Sequence, residues 1–277
     1  MKSRLAGCTL RAGACVMLFA NIASAANDHI KPATMRFEWN TDAVSCGALP
    51  SRVWISAVGP VTESSAAEFE AFAGNSDLRG TVIVLDSEGG SVLSALDLGR
   101  AIRRREMTTT VGKTEKVMCA DGTISHSTVS SKANCESMCA FVLLGGVHRY
   151  VPTEARVLVH QIWLGSKRNR SLAYQYTANE VSLVLRDFAA MARYTVEMGV
   201  SIELVETAAR VPPWLPSYRL SRDQLRRFAV ATDDPSSQMG ASVTSIPTAN
   251  AAAQDVADNF VETAVQARTT PPSVIVE

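Results

Sequence analysis

The chain reads as an α/β protein with largely parallel strand pairing, and three features of the sequence point there. From Arg52 onward, strand-length apolar runs alternate with helix-length amphipathic runs. "GTVIVLDS" (Gly80–Ser87) is apolar without alternation, which is the pattern of a strand covered on both faces. A glycine turn joins that strand to the next helix, in "DSEGGSV" (Asp86–Val92).

The elements follow in order. Asn27 to Cys46 reads as an irregular lead-in. "RVWISAVG" (Arg52–Gly59) is a strand, and "ESSAAEFEAFAG" (Glu63–Gly74) is a helix opened by serine and closed by glycine. After the buried strand, Val92, Leu96, Leu98 and Ile102 recur at helical spacing, and "MTTTVG" is the next strand. "ADGTISHSTVSSKAN", between Cys119 and Cys135, reads as a polar loop. "SMCAFVLLGG" is apolar all round, as a short buried helix would be. "HRYV" and "ARVLVHQ" are strands, "SLAYQYTANEVSLVLRDFAAMARYTVEMG" is a long amphipathic helix, and shorter helices span Ile202–Arg210 and "SRDQLRRFA". From Asp234 the composition drifts to Ser, Thr, Ala and Pro and reads as a disordered tail. The expected organisation is therefore a signal peptide over 1–25, a lead-in over 26–51, a single domain over 52–233, and the tail over 234–277.

The signal peptide rests on Lys2, Arg4 and Arg11, an apolar run from Ala12 to Ala20, and "ASA" before Ala26. The apolar run is shorter than the roughly 20 residues of a membrane-spanning helix. Export to the periplasm or outside the cell is the expectation. Cleavage would remove those three basic residues from 27 Lys+Arg, leaving 24 against 27 Asp+Glu. A slightly acidic exported chain argues against nucleic acid as a partner. The basic stretches "RAIRRR" and "KRNR" read as solvated faces or a local anion contact.

Of six cysteines, Cys46, Cys119, Cys135 and Cys139 would survive cleavage, an even number that favours two disulfides in an oxidising compartment. Pairing Cys119 with Cys135 would staple the polar loop, and Cys46 with Cys139 would tie the lead-in to the core. Four cysteines allow three pairings. Zinc is the weaker alternative, since only Cys135 and Cys139 are closely spaced; no metal or other cofactor is expected.

Two residues stand out for chemistry. Ser137 opens the buried helix, where backbone N–H groups favour negative charge and so suit an attacking hydroxyl and the oxyanion it creates. An ordinary capping serine is the plain alternative. His160 closes the following strand and is the one histidine of four set in a candidate core. A serine and a histidine converging on one site suit a nucleophile and its general base. Gly89 and Gly90 let backbone approach closely, so the N–H groups of Gly90 and Met138 can form an oxyanion hole, worth about 3–4 kcal/mol per donor.

These same stretches resemble the active-site region of the proteolytic subunit of the Clp protease. "SMCAFVLLGGVHRYVPTEARVLVHQ" is similar to that family's Ser-Met-Gly-Ala, apolar helix, Lys-Arg-Tyr, Pro and strand into His-Gln. "DSEGGSV" resembles its Ser-Pro-Gly-Gly turn, and "LSRDQLRRFAVATD" its last helix. The likeness runs from about Arg52 to Asp233, and the cysteines flanking Ser137 resemble a Cys-x-Ser-Ala-Cys box of exported members of the superfamily. It implies stacked β-β-α units of the Clp/crotonase type. It also implies Ser137 as nucleophile, His160 as base, and Gly90 and Met138 as oxyanion-hole donors. The family's third residue, an aspartate, falls here on Ser217, and no acid occurs from Thr207 to Arg222. Ser217 is therefore the candidate orienting group, with Glu203, Glu206 and Asp223 as alternatives. Glu88 stands where the family has proline.

The resulting expectation is an exported serine peptidase acting on peptides or unfolded proteins without an ATP-driven unfoldase, because an exported protein meets no ATP supply. A non-catalytic module for assembly or peptide binding is the alternative, and an acyl-CoA enzyme of the crotonase type fits least well. Relatives form rings or trimers, so a homo-oligomer is compatible with the likeness, with the long helix as one surface for it.

Overall fold

A computed structural model describes residues 34–43, 50–118, 124–164, 176–212 and 214–232. The signal segment, Cys46, Cys119, the "KRNR" stretch and the tail from Asp234 lie outside the described residues.

The main sheet has five strands in the order β1-β2-β3-β4-β8. These are β1 (Arg36–Ala43), β2 (Pro50–Val58), β3 (Val82–Asp86), β4 (Thr108–Val111) and β8 (His148–Tyr150). β2, β3, β4 and β8 run parallel, and β1 pairs antiparallel with β2. The all-apolar run of β3 is buried through Ile83, Val84 and Leu85 because it sits at the centre of this sheet. A second sheet has the order β10-β9-β7, from β7 (Asn134–Glu136), β9 (Arg156–Val159) and β10 (Tyr218–Arg219). The fold class is α/β, with six helices among the described residues.

The lead-in is not irregular: β1 belongs to the main sheet, so the strand system begins well before Arg52. Phe37 and Trp39 alternate along it and stack against Phe69 and Phe72 of helix α1 (Ser65–Ala73), with ring centroids 5.2–6.0 Å apart. The expected polar loop between Cys119 and Cys135 is not simply a loop either: its Ile124–Ser130 stretch is β6, paired antiparallel with β5 (Lys113–Met118). Asn40, only 2% exposed, explains how so polar a pair of strands packs. Its Nδ2 donates to Ser56 Oγ, while its Oδ1 accepts from Lys116 Nζ at 2.8 Å and Ser127 Oγ at 3.1 Å. One buried amide on β1 thus satisfies polar groups from three other strands, which an apolar-periodicity reading cannot anticipate.

Helix α2 (Val92–Arg104) turns Ala95, Leu96, Leu98 and Ile102 into the core. It crosses helix α3 (Met138–Leu143) where backbone meets backbone: a Cβ on Gly145 would lie 2.4 Å from the Gly99 carbonyl oxygen. The "RAIRRR" stretch is structural. Arg103 donates to the carbonyls of Leu144 and Gly145 at the end of α3. Arg104 and Arg105 clasp Glu70 of α1, and Arg105 in particular holds the Glu70 carboxyl below the usual range. The long helix is described as α4 (Ala178–Glu197), followed by α5 (Glu203–Ala209) and α6 (Arg222–Arg227). Met191 and Tyr194 of α4 are buried, whereas Leu183 and Phe188 are exposed.

Candidate functional site

The two sheets meet at one seam. Just past β3, Ser87 bridges in parallel to Cys135, and its carbonyl accepts from the Glu136 N–H at 3.0 Å. That seam sets the glycine turn after β3 against the junction between β7 and α3, where Ser137 lies.

Ser137 has φ 56° and ψ −124°, a left-handed conformation that costs a non-glycine residue about 1–3 kcal/mol. Its N–H donates to the Leu158 carbonyl at 2.8 Å, so the reversal comes directly at the end of the β7–β9 ladder. A serine on a strained strand-to-helix turn is held with its hydroxyl outward and the following N–H groups beside it. Gly89, at φ +84°, is pressed against this turn. A Cβ there would lie 2.6 Å from Met138 N, 2.7 Å from Glu136 O and 2.8 Å from Ser137 Cβ. Only glycine serves at this position, on both conformational and steric grounds. Among the described residues, the N–H groups of Gly90 and Met138 have no hydrogen-bond acceptor, and Met138 opens α3, where first-turn donors lack intrahelical partners. Glu88, which stands where the resemblance expects proline, is an exposed residue of this turn.

The reversal at Ser137 also explains the disulfide. Cys135 and Cys139 are bonded to each other, with Cα atoms 5.2 Å apart and both side chains buried, so the bridge spans Ser137. This replaces the expected Cys119–Cys135 and Cys46–Cys139 pairs. A strand that turns back on itself into a helix brings residues four apart within bonding range, whereas an extended strand would not.

His160 lies one residue beyond β9, the strand beside β7, and is 8% exposed. Its Nδ1 lies 2.8 Å from the Gln161 carbonyl oxygen, which can only accept, so Nδ1 carries the proton and Nε2 is the basic nitrogen of the neutral ring. The ring stacks on Trp163 with centroids 4.3 Å apart. Ser137 and His160 therefore sit at the same ends of neighbouring parallel strands. No hydrogen bond joins their side chains.

Ser217 does not orient His160. Its hydroxyl donates to Glu136 Oε1 at 2.6 Å, and the contact on the histidine's Nδ1 is the backbone of Gln161. Glu203 and Asp223 pair instead with Arg227 and Arg226, and Glu206 with Arg210. Glu136 and the Gln161 carbonyl are the site groups that sequence reasoning missed. Glu136 was legible as the acid directly before the candidate nucleophile; a backbone carbonyl leaves no mark in the sequence.

An apolar cleft of about 200 Å³ opens from His160 between α4 and α5, lined by Ile162, Val184, Leu185, Phe188 and Val205 among others. Among the described residues no group of three or more His, Cys, Asp or Glu could hold a metal ion. No protein-family model matches the chain, and no curated protein matches it.

Proposed function

We propose that this chain is an exported serine hydrolase on a Clp/crotonase-type fold, acting on peptides by acyl transfer through Ser137 with His160 as base. The observation that carries the reading is the strained Ser137 turn, pressed onto Gly89 and set at the end of the strand beside the one that delivers His160. In the reaction, Ser137 Oγ attacks the scissile carbonyl carbon while His160 Nε2 takes the hydroxyl proton. The N–H groups of Gly90 and Met138 receive the charge on the carbonyl oxygen. The C–N bond then breaks, the amine leaves with the proton from His160, and water repeats the sequence to release the acid and free Ser137. The Gln161 carbonyl supports this by holding the tautomer in which Nε2 is the base.

The cleft beside His160 favours an apolar side chain or acyl group next to the reacting bond. Export is supported by the basic, apolar and Ala-Ser-Ala pattern of the leader, and without ATP the substrates are small, unfolded or already cleaved. A second reading, a peptide-binding module without catalysis, is favoured by the absence of a hydrogen bond between Ser137 and His160. Such contacts are often long before substrate binds and tighten only in the complex.

Fluorophosphonate labelling decides between the two. The mature protein is expected to label on Ser137, and Ser137→Ala and His160→Ala to lose the label while keeping the wild-type melting temperature. A folded, disulfide-intact wild type that takes no label would remove the catalytic reading and leave the binding module.

A further inference from the structure

The sheet that carries His160 has two faces of opposite character. Cys135, Val157 and Val159 point into the core, whereas Asn134, Glu136, Arg156 and Arg219 alternate with them and are exposed or half-buried. The register is Glu136↔Leu158 between β7 and β9, and Arg219↔Leu158 between β10 and β9. Continued by one residue past the Tyr218↔Val159 pair, it sets Ser217 beside His160 on the same face as Glu136.

β9 is the middle strand, so Glu136 and Ser217 stand on strands two apart, about 9–10 Å at ordinary strand spacing. Their side chains nevertheless meet at 2.6 Å. They must cross above β9, on a diagonal from the Leu158 row to the His160 row. That crossing carries a carboxylate over the backbone directly before the imidazole. Among the described residues Glu136 makes no ion pair, so its charge is not neutralised by a cation in contact.

We propose that Glu136, held across β9 by Ser217, is the carboxylate that positions and charges His160 in this site, a role that rests on the Ser137–His160 reading above. The two duties of a triad acid are divided here. The Gln161 carbonyl sets the tautomer, and Glu136 supplies the negative charge that stabilises the imidazolium through space. Glu136 is a positioning residue, since it touches neither substrate nor the reacting atoms. Among the described residues, those of α4 and α5 that line the cleft are all apolar, Trp163 offers a ring, and the charged groups on the outer face of β9 and β10 are Arg156 and Arg219, which would lower rather than raise a histidine's proton affinity. Arg156 is engaged with Asn134 Oδ1 at 2.8 Å.

The test reads the His160 ring itself. The mature protein is titrated by NMR, with His160→Ala to assign the ring signal, and compared with Glu136→Gln and Glu136→Asp. Gln can still accept from Ser217, so the exchange removes charge and keeps the hydrogen bond. Glu136→Gln is expected to lower the His160 pKa by about one unit, the scale set by a nearby opposite charge, with Glu136→Asp retaining most of the wild-type value. In wild type and Glu136→Asp the lower limb of the pH profile of fluorophosphonate labelling should match the ring titration. A His160 pKa unchanged in a folded Glu136→Gln protein overturns the role; if that variant does not fold, Ser217→Ala, which releases the carboxylate from its place across β9, is expected to lower the His160 pKa, and an unchanged value there overturns it. The expected titration shift in a wild type that takes no label would instead overturn the hydrolase reading and leave the electrostatic coupling standing.

Discussion

At the residue scale the site is held by steric necessity more than by attraction. Ser137 tolerates its left-handed backbone because three constraints converge on it: its N–H on Leu158, the disulfide that spans it, and Gly89 pressed against it. Gly89 is the sharpest probe of that arrangement. Alanine there would face backbone atoms on Met138 and Glu136 within 2.7 Å, and would have to adopt φ +84° besides. Flexible neighbours could yield to such a clash, but two peptide groups at a sheet seam cannot. Gly89→Ala is expected to destabilise the fold by about 2–6 kcal/mol, the sum of positive-φ strain and overpacking. Urea denaturation measures the loss, and labelling of whatever folded protein remains should fall with it. A change under about 0.5 kcal/mol would mean that the turn is looser than its contacts imply.

At the element scale, α2, α3 and α4 pack so closely that a phenol becomes a structural donor. Tyr194 of α4 is fully buried and donates to the Phe141 carbonyl at 2.9 Å, while a Cβ on Gly99 would strike its hydroxyl. Tyr194→Phe removes that donor and leaves the carbonyl its contact with the Leu144 N–H, so the expected cost is about 1 kcal/mol. The phenol also carries a pH signature. Burial raises its pKa, so the folded protein keeps the proton where the unfolded chain releases it. The contribution is full below the unfolded value, near pH 10, and is lost as pH climbs toward the folded one. Denaturant midpoints above about pH 10 should therefore fall more steeply for wild type than for Tyr194→Phe. Parallel slopes would remove Tyr194 from the alkaline response. Much at this scale was legible from the sequence. The repeating helices and parallel strands follow from apolar period and run length, as in β3 and α2. β1 and the β5–β6 pair were not legible, because what stabilises them is a buried asparagine and tertiary aromatic contacts rather than a period.

At the scale of the whole molecule, the C-terminal segment fastens onto β8 at the edge of the main sheet and brings the second sheet its third strand. Arg149 of β8, only 3% exposed, is the joint. Its guanidinium donates to the carbonyls of Gly146, Ala229 and Val230, and its backbone exchanges hydrogen bonds with Thr232. Nothing in "HRY" marks this arginine as facing inward; it does so because the chain leaving α6 turns at Ala229, φ 59°, and presents carbonyls that need donors. Candidate nucleophile and base were legible as residue types. Of the groups around them, Glu136 was legible only as an acid beside Ser137; Gln161 makes its contact through its backbone, and Ser217 meets Glu136 only after β10 folds onto β9. Arg149→Met keeps the apolar stem and removes the donors, so the stranded carbonyls should cost about 2–4 kcal/mol. Because those carbonyls all lie in one segment or beside it, the loss should be local first. Hydrogen exchange is expected to rise across Tyr218–Thr232 while β2, β3 and β4 stay protected. If Ser217 then leaves Glu136, the His160 titration should move in the direction expected for Glu136→Gln. Uniform exchange across the whole chain would instead mean that the C-terminal segment and the main sheet unfold as one unit.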